Sequence, residues 1–374
     1  MSIPFIDLQK QYLDHKVALD SAISNVLSHG QYIMGPEVKQ LESELANYLG
    51  VKHALACSSG TDALLLPLMR HELCKKDAIF TSPFTFFASA ESISLAGATP
   101  VFVDIDPVTY NIDPQSLRTA IVDVLEKGEL TPKGIMPVDI FGLAAQYKDI
   151  NTIADEYGLF VLEDAAQSFG ADYYGEKAGG LAQVGATSFY PAKPLGCYGD
   201  GGAVFTNDSD IYEEMSSLRV HGQATSGDKY DNVRVGLNAR MDTIQAAILL
   251  EKLKIYDGEL VRRNQVAKSY TTKLEGILVT PTVPEHQKSV WAQYSVLSDD
   301  RERIRLALQE KNIPTAVFYP IPIHLSTAYR YLGYKTGDFP VSESVSKRIF
   351  SLPMHPYLEE SDVRLITDAI AAAV

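Results

Sequence analysis

The stretch TSFYPAKPLGCYGDGGAVFTND, Thr187 to Asp208, sets one lysine between two prolines and follows it with four glycines before a second β-branched and aromatic run. ATSFY (186–190) reads as one strand and GAVFTN (202–207) as the next. Pro191 and Pro194 fix the backbone on either side of Lys193, and Gly196, Gly199, Gly201 and Gly202 permit tight turns before the chain re-enters a strand. A surface lysine needs no such setting, because its charge is solvated and its stem only has to find room. The glycine spacing matches neither a dinucleotide-binding loop nor a phosphate-binding loop whose lysine leads directly into a helix. A lysine set this way at a strand end is aimed at a small molecule.

Upstream of this stretch the same alternation repeats. AIFTS (78–82), TPVFVDI (99–105), GIMPVDIF (134–141) and GLFVLEDA (158–165) read as strands. The segments DALLLPLMRHEL, ASAESISLAG, PQSLRTAIVDVLEKG and DINTIADEYG carry apolar positions at helical spacing. This is the pattern of an α/β fold with a mostly parallel, doubly wound sheet and helices on both faces. Such folds bind ligands beyond the carboxyl ends of their strands. After residue 240 the pattern changes. RMDTIQAAILLEKLKIYDGELVRRNQVAKSYTTKLEG predicts two helices with a break near Tyr256 to Gly258. A smaller α+β portion follows, with strands at VWAQYSVL and PTAVFY and helices at DRERIRLALQEK and EESDVRLITDAIAAAV. Residues 1–250 are therefore expected to form an N-terminal arm and a large α/β domain, and residues 251–374 a small C-terminal α+β domain.

The chain has 374 residues, 46% hydrophobic and 21% charged, with a formal net charge of −14. No apolar run approaches the ~20 residues that span a bilayer, and the first residues lack the apolar core of a signal peptide. The expected location is the cytoplasm. Acidic residues spread along the chain leave no basic stripe for a nucleic acid. Cys57, Cys74 and Cys197 have no metal-ligand spacing, so free thiols and no metal are expected.

Other groups fall at predicted strand ends. In CSSGTDALL (57–65) the amides of Gly60 and Thr61 open a helix and can hold a phosphate, while Ser59 or Thr61 can equally serve as an ordinary cap. In TSPFTFFASAES, Phe84, Phe86 and Phe87 offer rings for a planar ligand or for the core. In FVLEDAAQSFGA, alternation sends Glu163 and Asp164 to opposite faces, so only one of them serves a given site, with Gln167 close behind. A phosphate cup, a strand-end acid and a braced lysine together suggest pyridoxal phosphate. Its aldehyde joins a lysine, its ring nitrogen stays protonated beside an acid, an aromatic ring stacks on it and amides hold its phosphate.

The order SSGTDAL, TFFASAESI, VLEDAAQSFGA, SFYPAKPLGCYGDGGAVFTN, RVHGQ and GLNARMDTIQAAIL resembles the DegT/DnrJ/EryC1/StrS family of sugar aminotransferases over essentially the whole chain. The resemblance implies fold-type I, like aspartate aminotransferase, and a homodimer with sites at the subunit interface. It implies transfer of an amino group from L-glutamate to a keto sugar nucleotide. Lys193 would be the Schiff-base lysine, Asp164 the partner of the pyridine nitrogen and Gln167 the contact of the ring hydroxyl. Gly60, Thr61 and Ser188 would hold the phosphate, Asn238 would reach in from the neighbouring subunit, and Phe86 would stack. YPIPIH (319–324) and MHP (354–356) are similar to the sugar-nucleotide side, which makes Tyr319, His324 and His355 substrate candidates, with structural roles open for both histidines.

SFYPAKPLGCYGDGGA with RVHGQ and SLPMHPYL is most similar to the branch that aminates UDP-2-acetamido-2-deoxy-3-oxo-D-glucuronate for surface polysaccharide and O-antigen sugars. Other branches aminate C4 of a UDP-, dTDP- or GDP-linked 4-keto-6-deoxy sugar. Members with histidine in place of the lysine are dehydratases; Lys193 favours transamination. A metabolite-sensing regulator is a third class, for which the sequence offers no helix-turn-helix and no basic surface.

Overall fold

The computed structural model describes residues 3–224 and 230–374. Two N-terminal helices, α1 (Leu8–His29) and α2 (Pro36–Leu49), precede the alternating region. That region runs β1 (His53–Cys57), α3 (Gly60–Met69), β2 (Asp77–Thr81), α4 (Phe87–Leu95), β3 (Thr99–Phe102), α5 (Pro114–Lys127), β4 (Thr131–Met136), α6 (Tyr147–Tyr157) and β5 (Phe160–Asp164). A short hairpin, β6 (Asp172–Tyr173) and β7 (Glu176–Lys177), leads to β8 (Val184–Ser188), β9 (Gly202–Thr206) and α7 (Ser209–Leu218). The C-terminal part comprises α8 (Thr243–Leu274), β10 (Gln287–Lys288), β11 (Tyr294–Leu297), α9 (Arg301–Glu310), α10 (Pro340–Arg348), β12 (Ile349–Leu352) and α11 (Glu360–Ala371).

The seven-stranded sheet has the order β1-β9-β8-β5-β4-β2-β3. Only β9 is antiparallel to its neighbours; the other six strands point the same way, so their carboxyl ends share one edge. Helix boundaries follow local chemistry. Ser59, Asp113 and Asp208 cap α3, α5 and α7 through their side chains, and left-handed Gly50, Gly128 and Gly158 end α2, α5 and α6. One cluster centred on Ile121, Ile135 and Ile150 fills one face of the sheet, and others around Leu45 and Phe205 and around Leu66 and Ile93 fill further space beside it. The C-terminal elements gather a separate cluster around Tyr270, Tyr294, Phe350 and Ile366.

Two sequence expectations are corrected. The break near Tyr256 to Gly258 does not occur: α8 is one helix of 32 residues. A helical glycine costs about 1 kcal/mol relative to alanine. Burying Ile248, Leu249 and Val266 along the same helix returns about 1.5–3 kcal/mol each. PTAVFY forms no strand and contributes only an isolated bridge, Ala316 with Ser351. Strand β1 went unread because HALAC contains two alanines and no β-branched or aromatic side chain to signal a strand. Residue 250, the expected domain boundary, lies inside α8. Among the described residues no helix is long and apolar enough to cross a membrane.

Candidate active site

The site is built where β9 enters the sheet. Gly202 pairs with Cys57 of β1 on one side and Ser188 of β8 on the other, and a Cβ there would meet the Ser59 carbonyl at 2.3 Å. This close approach brings the start of α3 against the end of β8. A Cβ on Gly60 would meet the Ser188 Cβ at 2.5 Å. Ser59 accepts from the Asp62 amide at 3.1 Å, and Ser58 and Ser59 both donate to the Asp62 carboxylate. The cap therefore belongs to Ser59. As the first two helical residues, Gly60 and Thr61 have amides with no intrahelical acceptor. The cap at Ser59 leaves the two helix-start amides of Gly60 and Thr61 uncommitted within the helix.

The lysine loop is braced from within and from α8. The Lys193 amide donates to the Tyr190 carbonyl at 2.8 Å, and the Cys197 amide to the Phe189 carbonyl at 2.8 Å. The Tyr198 amide donates to Gln245 Oε1 at 2.9 Å, and Lys252 Nζ donates to the Gly196 carbonyl at 2.7 Å. Burial pulls the Lys193 ammonium down to about 8, against the opposing pull of the Asp164 carboxylate. The side chain is thus both acid and base near neutral pH.

Asp164 and Glu163 separate as strand alternation requires. Glu163 faces away and accepts from the amides of Gly179 and Leu181. Asp164 is buried at the carboxyl edge, where Oδ2 accepts from Ser89 at 2.7 Å and Oδ1 from the Ala166 amide at 3.2 Å. Burial raises its carboxyl, while Ser89, Ala166 and Lys193 pull it back. A buried carboxylate within electrostatic reach of a partly buried amine, beside free helix-start amides, fits a ligand with a phosphate at one end and a basic ring nitrogen at the other.

Gln167 is the hinge of a second group. Its Oε1 accepts from the Phe141 amide at 2.9 Å and its Nε2 donates to the Tyr319 hydroxyl at 3.2 Å. The Tyr319 ring lies 6.4 Å from that of Phe86, which is 59% exposed at the start of α4. Phe84 is core instead, packed on Tyr110, Phe141 and Tyr319. His355 lines a crevice with Pro191, Lys193 and Arg263; burial and the Arg263 guanidinium pull it down to about 4, so it is neutral. His324 joins neither group: its Nε2 lies 3.2 Å from Glu343 and its ring packs edge-on against Phe339. Asn238 is exposed and accepts from Arg240 Nε at 3.0 Å, so within one chain it faces outward from the site. Sequence reasoning missed Ser89, Gln245 and Lys252. Ser89 was legible in principle, lying in the first turn of the helix that Phe86 begins.

The sequence profile of the DegT/DnrJ/EryC1/StrS aminotransferase family matches residues 14–371. The chain belongs to that family. It is 44% identical over 98% of its length, and 99% of the relative's, to the UDP-2-acetamido-2-deoxy-3-oxo-D-glucuronate aminotransferase of Pseudomonas aeruginosa. A DegT/DnrJ/EryC1/StrS aminotransferase from Brucella abortus superposes with a TM-score of 0.96, at 48% identity and 99% coverage of both chains. A Bacillus subtilis protein solved with bound PMP superposes at 0.88 and 28% identity, covering all of this chain and 85% of that one. The aminotransferase thus has fold-type I architecture and uses pyridoxal phosphate.

Proposed function

We propose that this aminotransferase moves an amino group from L-glutamate to C3 of UDP-2-acetamido-2-deoxy-3-oxo-D-glucuronate, supplying a sugar for surface polysaccharide such as the O-antigen of lipopolysaccharide. The observation that carries the chemistry is the placement of Lys193, Asp164 and the Gly60–Thr61 amides on one edge of one sheet. The choice of sugar rests on the Pseudomonas aeruginosa relative.

In this reading the amides of Gly60 and Thr61, with the Ser188 hydroxyl, receive the cofactor phosphate at the positive end of α3. Phe86 covers the ring face and Gln167 meets the ring hydroxyl. Asp164 presents a desolvated carboxylate, which favours a protonated ring nitrogen. When bound, the cofactor would supply an aldehyde carbon to carry the amino group and an electron-accepting ring beside it. Lys193, with its amine near half-ionised at about pH 8, holds and returns a proton at Nζ. Tyr319 lies on the sugar side through its bond to Gln167. His355 borders the same opening as a neutral donor or acceptor, and His324 acts at one remove by packing.

The same reading includes a cytoplasmic homodimer. Leu13, Val17 and Leu27 are 57%, 86% and 55% exposed along one side of α1, apolar surface of the kind that a second copy covers. Asn238, outward in its own chain, would complete the partner's phosphate cup.

The test supplies ¹⁵N-labelled L-glutamate with the UDP 3-oxo sugar, or with a dTDP 4-keto-6-deoxy sugar, and locates the label by mass spectrometry and NMR. Label at C3 of the UDP sugar is expected. Label only at C4 of the dTDP sugar overturns the substrate assignment, and a consumed sugar without label overturns transamination. Light scattering should give the mass of two chains; an active monomer contradicts the role given to Asn238.

A further inference from the structure

We propose that Lys252 is a positioning residue for Lys193: from α8 it grips the outgoing limb of the lysine loop and so sets how the amine is presented. The proposal deepens the site reading above and rests on it.

Lys252 is 2% exposed. Its Nζ donates to the Gly196 carbonyl at 2.7 Å and lies 4.1 Å from the centre of the Tyr198 ring. Among the described residues no carboxylate comes within ion-pair distance of it. Glu259, two turns along the same face of α8, is the nearest source of negative charge. Its oxygens are engaged by Gln11 Nε2 at 3.0 Å and by the Tyr357 hydroxyl. A buried cation satisfied only by a carbonyl and a ring is costly to place, and an apolar side chain of the same length would fill the space without that cost. The gain lies in what the ammonium holds.

What it holds is a loop under tight steric control. A Cβ on Gly196 would meet the Pro191 carbonyl at 2.6 Å and the Tyr190 carbonyl at 2.7 Å. The chain on the far side of Lys193 therefore folds back on the chain before it, and Lys193 occupies the apex between them. Seven residues before Lys252, on the same face of α8, Gln245 takes the Tyr198 amide at 2.9 Å. Two successive rungs of one helix thus fasten two successive peptide groups of the loop. If the Lys252 rung is removed, the apex is free to rise toward solvent, and the Lys193 amine regains hydration and returns toward its ordinary basicity.

The titratable and charged groups around Lys252 are Cys197 and Tyr198 on the loop, Glu259, Glu251 and Lys254 on α8, and Tyr12 and His15 on α1; Lys193 itself faces Asp164. The experiment uses the full-length, cofactor-stripped chain. Lys193 is methylated with formaldehyde and cyanoborohydride, and its rate is followed by mass spectrometry from pH 6.5 to 10. The pH profile of the cofactor's visible absorbance in the loaded protein provides a second readout. In the natural chain the Lys193 profile should have its midpoint at about 8. In Lys252→Met it should move up by about one pH unit, which is roughly a tenfold slower reaction below pH 7.5, with unchanged circular dichroism. Lys252→Gln, which keeps a shorter donor, should fall between the two. A folded Lys252→Met protein with the natural Lys193 profile overturns the proposal. If that variant does not fold, Lys252→Gln is held to the same standard. A natural chain whose Lys193 titrates at the ordinary lysine value sinks the site reading instead, so the two failures are distinguishable.

Discussion

Lys193 and Lys252 are chemically alike and differently used. Burial pulls both ammonium groups down to about 8. Lys252 spends its charge on a backbone carbonyl and an aromatic ring, whereas Lys193 sits at a turn of the chain with an acid in electrostatic reach. Depressed basicity is therefore no mark of a reactive lysine by itself; what distinguishes the two is whether the nitrogen is already tied. Burial prepares an amine, and with no hydrogen-bond partner among the described residues the Lys193 nitrogen stays available.

The harshest way to break that contrast is to remove the available amine. Lys193→Ala should abolish the visible absorbance of the loaded protein and lower turnover by roughly 10³-fold or more, measured in single turnovers with L-glutamate. A variant that kept its colour and most of its rate would make the two lysines interchangeable. Next in size is Asp164→Asn, which keeps a hydrogen-bonding group for Ser89 but deletes the charge. A loss of about 10²-fold in kcat, with a smaller change in KM, is expected from a weaker hold on the ring proton, and steady-state kinetics decide it.

Gly60→Ala tests the phosphate end. The added carbon must push Ser188 aside, and cofactor affinity should fall about tenfold, as read by fluorescence titration of the stripped protein; backbone amides that hold a phosphate tolerate little displacement. The mildest effect concerns stability. Both lysines lose their protons more readily in the folded chain than at the usual value of 10.5. Between about pH 8 and 10 the unfolded chain therefore binds more protons, and stability contributed by these groups rises with pH across that window. Urea midpoints of the stripped protein at pH 7.5, 8.5 and 9.5 should rise more, or fall less, with pH in the natural chain than in Lys252→Met, a comparison in which the opposing effect of the Cys57 and Cys197 thiols, pushed up by burial, cancels. Equal slopes would mean that Lys252 does not keep its altered basicity in solution.

The contrast also explains what the sequence disclosed. Lys193 was legible because its constraints are local: Pro191, Pro194 and Gly196 lie within three residues of it and each has a conformational meaning on its own. Asp164 was legible because a strand runs directly into it. Gly60 and Thr61 were legible because a helix starts there, although the steric reason for Gly60 lies in Ser188, well over a hundred residues away. Lys252 left no such trace. In AAILLEKLKIYDGE it reads as one more solvated charge on an amphipathic helix, and its partner carbonyl is 56 residues distant in the chain. The mistaken break at Tyr256 to Gly258 has the same root. Propensity sees a glycine, whereas the Tyr256 hydroxyl is fastened to the Phe169 carbonyl at 2.7 Å by tertiary packing. Fold class follows from period and punctuation, and rungs between distant segments become visible only when the chain is folded.

The unbroken α8 carries a further consequence. At 32 residues it is about 48 Å long. Ala246, Leu249 and Tyr256 in its first half belong to the cluster that backs β1 and β9, and Val266, Tyr270 and Leu274 in its second half belong to the C-terminal cluster. The two cores share one beam. Heat cannot melt one of them without fraying the rod that the other is built on, so calorimetry should record a single endotherm in place of two.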